Sequence, residues 1–284
     1  MRNNVKTAVL LAGFGGLVLG IGSLFGRGGL VIGLVLALAM VGGSYWFSDK
    51  VAIAAARAVP VSEAEMPEYY AIVRDLTRRA GMPMPRLYVT PDAQPNAFAT
   101  GRNPDHAAVA VTRGILDVCT WDELRGVLAH ELSHVGNRDI LIGSVAAGLA
   151  MMITFVARMA MWGSLFGGSG GRNRRNDNAL AVLAMAILAP VAAGLLQMAL
   201  SRNREFEADR SGAKLIGTGE PLARALEKLE ATSRRVPMDI DPAHATAYIV
   251  NPLSGRQMQF KQLFTTHPAT EERVRRLRNG DWAH

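Results

Sequence analysis

His130-Glu131-Leu132-Ser133-His134 places two imidazoles and a carboxylate within one short stretch. On an α-helix, positions i and i+4 lie one above the other, so His130 and His134 aim at a common point. Glu131 sits beside them, rotated off that line. Imidazole nitrogen is a favoured zinc ligand, and a carboxylate beside two such ligands is placed to take a proton from an attacking water. The pattern is that of metal-assisted peptide hydrolysis. With six His and twelve Glu in 284 residues, chance supplies about 0.005 matches to it.

Catalytic zinc usually takes three protein ligands, so a third must come from elsewhere. Ser201 through Arg210 reads as a charged helix in which Glu205 and Asp209 share a face and Glu207 points away. Glu205 is the candidate third ligand. Asp209 is the candidate acceptor for the free ring N–H of a ligating histidine.

The elements around these residues must hold them still. Thr120-Trp-Asp-Glu123 is a capping box that starts a helix and places the His-Glu-x-x-His sequence mid-helix. Ser62 to Ala80 reads as an amphipathic helix capped by Ser62, with Tyr70, Ile72, Val73 and Leu76 as its buried stripe. Arg86 to Thr90 reads as a strand. Asn96–Thr100 and Ala107–Thr112 read as a hairpin with a loop of about six residues. Its first strand, carrying Asn96, Ala97 and Phe98, is either scaffold or an edge that pairs with an extended peptide. Pro221 to Leu229 is a further helix. Thr266 to Leu277 is another, with Pro268 in or near its first turn and His267 at its N-terminus.

An apolar share of 49% with 6% aromatic fits a membrane protein better than a fully soluble one. Val5–Phe25 and Gly29–Phe47 are each long enough to cross a hydrocarbon core about 30 Å thick, and the short turn at Arg27 makes them a hairpin. The first run is too long for a cleaved signal, and a second span follows at once. Ile140–Trp162, containing Arg158, and Leu180–Leu200, containing Pro190, are weaker runs around the polar, Gly-rich stretch from Gly163 to Asn178. Arg2, Lys6, Lys50 and Arg57 flank the first pair and set those flanks toward the cytoplasm. Arg172, Arg174 and Arg175 would then lie opposite, against the same tendency, unless the second pair is re-entrant. Crossing twice or re-entering, the chain returns to the face it left, so His134 and Glu205 share one membrane face.

The net charge of +7 comes without an aromatic-interleaved basic stripe, which argues against nucleic acid and for phospholipid headgroups. Cys119 is the single cysteine, so neither an intrachain disulfide nor a cysteine-rich metal cluster can form.

The N-terminal spans, His130–His134, the two later apolar runs, Ser201 through Asp209 and the closing Thr266-His267-Pro268 together resemble the HtpX-type membrane metallopeptidases of bacteria. These are relatives of the CAAX prenyl endopeptidases within the gluzincin class. The resemblance implies one zinc ion per chain on His130, His134 and Glu205, with Glu131 as general base. It implies that His267 and Arg273 contact substrate or the developing oxyanion, and that Asn96, Ala97 and Phe98 pair with substrate. It also implies an α+β, mainly helical integral membrane protein whose gluzincin-like zinc protease domain carries a small β-sheet. The setting is the bacterial inner membrane with the site facing the cytoplasm, and the substrates are misfolded or damaged membrane proteins. The domain plan is a transmembrane hairpin at 1–50, a first catalytic half at 51–137, a second membrane hairpin at 138–200 and a second catalytic half at 201–284. The alternative is a catalytically weak membrane adaptor that keeps a structural zinc site.

Overall fold

The computed structural model describes residues 2–23, 26–143, 145, 202–233 and 268–283. The expected second membrane hairpin beyond its first residues, the Gly163–Asn178 stretch and His267 lie outside the described residues.

Helix α5 (Trp121–Gly136) is the centre of the folded part. From Glu123 to Ser133 every residue except Arg125 is buried, because the helix is covered by other elements on all sides. Its start is fixed by the capping box read from sequence: Thr120 Oγ1 accepts from the Glu123 N–H at 3.3 Å, and Glu123 Oε2 accepts from the Thr120 N–H at 2.8 Å. On one side lies a four-stranded mixed sheet of order β1-β2-β4-β3, with β1 Val59–Pro60, β2 Arg86–Thr90, β3 Ala97–Thr100 and β4 Ala108–Thr112. Strands β2 and β4 run parallel; β3 lies antiparallel to β4 and forms the edge. Val109 and Val111 of the central strand are fully buried.

On another side of α5 lie α6 (Arg202–Ile216) and α7 (Glu220–Ser233), closed off by α8 (Thr270–Arg278). Two glycines permit this closeness. A Cβ on Gly212 of α6 would sit 2.9 Å from the His130 nitrogen, and one on Gly126 of α5 would sit 2.5 Å from the Leu222 nitrogen. Backbone meets backbone at both points, so no side chain fits between the helices.

Two helix starts differ from expectation. Helix α3 begins at Pro67, not Ser62, and runs to Ala80. A proline disfavours the α region for the residue before it, so Met66 cannot be helical and Pro67 takes the first helical position. Ser62 instead closes a turn, its N–H and hydroxyl both donating to Glu65 Oε2 at 2.7 Å. The buried stripe is accordingly Tyr69, Val73 and Leu76; Tyr70 and Ile72 are half-buried. Helix α8 begins at Thr270, past Pro268, with Ala269 extended at ψ 134°. Its acidic residues Glu271 and Glu272 stand in the first turn and Arg275, Arg276 and Arg278 in the last, the order the helix dipole favours.

The N-terminal hairpin is seen as α1 (Arg2–Ser23) packed along α2 (Gly26–Ala55), with α4 (Arg113–Val118) leading into α5 at the other end of the sheet. Among the described residues one stretch, Gly26–Phe47, is long and apolar enough to cross a membrane, while the apolar part of α1 is the shorter Leu11–Gly20. Leu30, Val31, Ile32, Leu34, Val35, Leu36 and Leu38 of α2 are exposed. The molecule is thus mainly helical with a small mixed sheet.

Candidate metal centre

One turn of α5 brings His130 and His134 together, and α6 delivers Glu205 to them across the Gly212 contact. The His130 and His134 Nε2 atoms are 3.3 Å apart. Glu205 Oε2 lies 3.7 Å from His130 Nε2, and Glu205 Oε1 lies 3.6 Å from His134 Nε2. A tetrahedral zinc with bonds of about 2.0–2.1 Å separates its ligands by about 3.3 Å. The two imidazole nitrogens match that edge and one Glu205 oxygen stands a few tenths of an ångström beyond it from each of them, and the two-imidazole, one-carboxylate chemistry suits zinc. His130 and Glu205 are buried.

Both imidazoles are oriented from behind. His130 Nδ1 lies 2.9 Å from Asp209 Oδ1, which fixes the proton on Nδ1 and leaves the Nε2 lone pair for a metal. His134 Nδ1 lies 3.4 Å from Asp139 Oδ2. Asp209 is held by Arg273, whose Nε and Nη2 donate to its two oxygens at 2.9 and 2.7 Å. Burial works against the Asp209 carboxylate, but the Arg273 charge and hydrogen bonds, with His130, bring it down to about 2. Burial likewise disfavours a charged His134, yet the Asp139 contact and the fields of Glu205 and Glu131 outweigh it and raise the imidazole to about 9. The site is built to surround a positive charge, and a cation among these atoms would replace that proton.

Glu131 is 6% exposed. Burial, with Glu205 adding to it, pushes its carboxyl above the ordinary range, against the opposing fields of His130 and His134. Its Oε2 accepts the Ala99 N–H of β3 at 3.0 Å, so the general-base candidate touches the edge strand.

The expected strand sits where the sequence places it, with a defined parity. Thr112 N–H donates to Asn96 O at 2.9 Å, and Asn96 N–H donates to Thr112 Oγ1 at 2.8 Å. Asn96, Phe98 and Thr100 therefore turn their backbone groups inward to β4, and Ala97 and Ala99 turn theirs away from it, Ala97 fully buried and Ala99 half-buried. Arg273, assigned to substrate or oxyanion, is 1% exposed and faces Asp209; it lies behind the metal ligands because α8 packs against α6. Two groups were missed. Asp139 was legible only as the first acid after the motif. It returns to His134 because Arg138 adopts the left-handed conformation at φ 57°, a turn no sequence signal marks. Ala99, with an unreactive side chain, acts through its backbone alone.

The model of peptidase family M48 matches residues 63–281. The chain belongs to peptidase family M48. That family match spans α3 to the residues following α8, and so contains every residue of the centre described above. A "Protease HtpX homolog" from Syntrophobacter fumaroxidans is 52% identical over 285 residues, covering 98% of this chain and all of that relative. One from Paraburkholderia phytofirmans is 50% identical over 281 residues, covering 98% and 96%. The crystal structure of S. mikatae Ste24p is 20% identical with a TM-score of 0.49, covering 97% of this chain and 65% of that one. The M48 assignment makes this chain a metallopeptidase.

Proposed function

We propose that the chain is a membrane-anchored zinc endopeptidase of the bacterial inner membrane, its site facing the cytoplasm, that cleaves misfolded or damaged membrane proteins. The observation that carries this reading is the His130–His134–Glu205 cluster, two of its members buried and His134 partly so, with ligand-to-ligand distances suited to one zinc ion and Glu131 next to it. The relatives' printed name, a protease, agrees with it. Residues 1–50 form the anchor, 51–137 and 201–284 the two halves of the catalytic domain, and 138–200 a second membrane hairpin between them.

Zinc, when bound, supplies a Lewis acid that polarises the scissile carbonyl and makes water nucleophilic near neutral pH. Glu131 takes the proton of the attacking water and delivers it to the leaving amine. Burial disfavours the charged Glu131 carboxylate and so favours its taking up that proton. The N–H and C=O groups of half-buried Ala99, turned away from β4, pair with an extended substrate, which displaces Glu131 from the Ala99 N–H. Backbone pairing reads no side chain, which suits cleavage of many unfolded sequences. Asp209 and Asp139 keep the imidazoles in the ligating tautomer, and Arg273 keeps Asp209 ionised. By the family resemblance, His267 contacts substrate or the developing oxyanion.

The test is removal of metal by chelator from the detergent-purified full chain, followed by titration with zinc while cleavage of an unfolded membrane polypeptide is recorded. Activity returning in step with one zinc per chain supports the reading. Stoichiometric zinc without turnover would leave only the adaptor.

A further inference from the structure

At the polar end of α2 a cavity of about 630 Å³ opens between Trp46, Phe47 and Lys50 on the helix and Arg102, Asp105 and His106 on the loop between β3 and β4. We propose that this cavity seats the phosphodiester headgroup of an anionic glycerophospholipid, with Lys50 and Arg102 on the phosphate. The inference rests on the membrane-anchored reading above and deepens it.

Position is the first argument. At about 1.5 Å per residue, the Gly26–Phe47 stretch is about 33 Å long, close to the thickness of a hydrocarbon core. Its last residues are Tyr45, Trp46 and Phe47, and Trp46 and Phe47 are both more than half exposed. Aromatic rings of this kind mark the membrane–water boundary. Lys50 stands one helical turn beyond them, at the level of lipid phosphates.

Charge is the second. Asp49 and Arg86, which also line the cavity, neutralise each other at 2.6 Å. Lys50 and Arg102 have no carboxylate partner among the described residues; each lies over an aromatic ring instead, Lys50 Nζ 5.4 Å from the Phe47 centroid and Arg102 Cζ 4.8 Å from that of Trp46. A stacked guanidinium keeps its in-plane N–H donors available for a phosphate. Against Asp105, these two cations leave a surplus of one positive charge, which a phosphodiester cancels. A headgroup carrying an ammonium would restore that surplus. The exposed Asp105 and His106 are suited to the hydroxyls of a glycerol headgroup.

The seat is joined to the catalytic edge. Arg102 and His106 belong to the loop that continues β3, and that loop is tight: a Cβ on Gly101 would lie 2.4 Å from His106 O. A headgroup bridging Lys50 and Arg102 ties the end of α2 to β3, and so sets the height of the Ala97–Ala99 edge above the bilayer. Anionic lipid therefore favours substrates that emerge from the same membrane, while a small soluble peptide gains nothing from it.

The test uses the full chain in nanodiscs of phosphatidylcholine with increasing phosphatidylglycerol, or with phosphatidylethanolamine in its place. Retained lipid is read by native mass spectrometry, and cleavage of a membrane-anchored substrate is compared with that of a soluble peptide. The expected result is preferential retention of phosphatidylglycerol, lost by about fivefold for each of Lys50→Gln and Arg102→Gln. The charge-keeping variant Lys50→Arg retains it, and stimulation by phosphatidylglycerol appears for the anchored substrate alone. Equal retention of phosphatidylethanolamine, displacement of lipid by dissolved glycerol phosphate, or an unchanged preference in the glutamine variants would each overturn the proposal. Release of the chain from membranes by alkaline carbonate would overturn the membrane-anchored reading itself, a result separable from lipid preference.

Discussion

His134 carries the plainest pH signature at the scale of single residues. Its imidazole is raised from about 6.5 to about 9 in the folded chain, so the folded state holds this proton more tightly than the unfolded one. In chelator, its contribution to stability is full below pH about 6.5 and is lost as pH rises through about 9; thermal unfolding with chelator across that window measures it. Zinc competes for the same nitrogen, so zinc affinity rises with pH over the same window. Asp139 is predicted to act on that balance. Asp139→Asn weakens zinc binding by about 10–100-fold and lowers the pH at which His134 loses its proton, both readable by competition with a chromophoric chelator and by NMR of the ring. Of these residues, His130, Glu131 and His134 were legible because one helical turn links them. Glu205 and Asp209 were legible because they share a helix face. The Arg273–Asp209 pair was not, since it joins residues 64 apart and depends on how α8 docks.

Among elements, the contact of α5 with α6 decides whether a site exists. Glu205 and Asp209 reach the histidines only because Gly212 lets the two backbones meet at His130. Gly212→Val inserts side-chain atoms where only backbone lies ahead. It is expected to cost about 1–3 kcal/mol of stability and to weaken zinc binding, with denaturant melts and metal titration as the measures. Local signals read well at this scale. The Thr120–Glu123 capping box and the β3–β4 hairpin involve neighbours in sequence, and both stand where expected. The start of α3 did not read well, because Pro67 bars Met66 from the helix and overrules the better cap at Ser62. Likewise, which groups of β3 face outward follows from its pairing with Thr112, which alternation along one strand leaves undetermined.

At the scale of the whole molecule, an apolar hairpin, a mixed sheet and a candidate metal centre stand in one chain. Of the expected apolar runs, the second is answered by α2 with its row of exposed Leu, Ile and Val, the first by the shorter Leu11–Gly20, and the later pair, beyond its first residues, lies outside the described residues. Small folded domains seldom leave so wide an apolar face to water. The most direct test of the central claim is zinc content measured together with cleavage, in the wild-type chain and in Glu131→Gln purified in detergent. The expected result is about one zinc per chain in both, with cleavage in the variant lower by about 100-fold or more. Full cleavage by Glu131→Gln, or a wild-type chain that cleaves without metal, would contradict it.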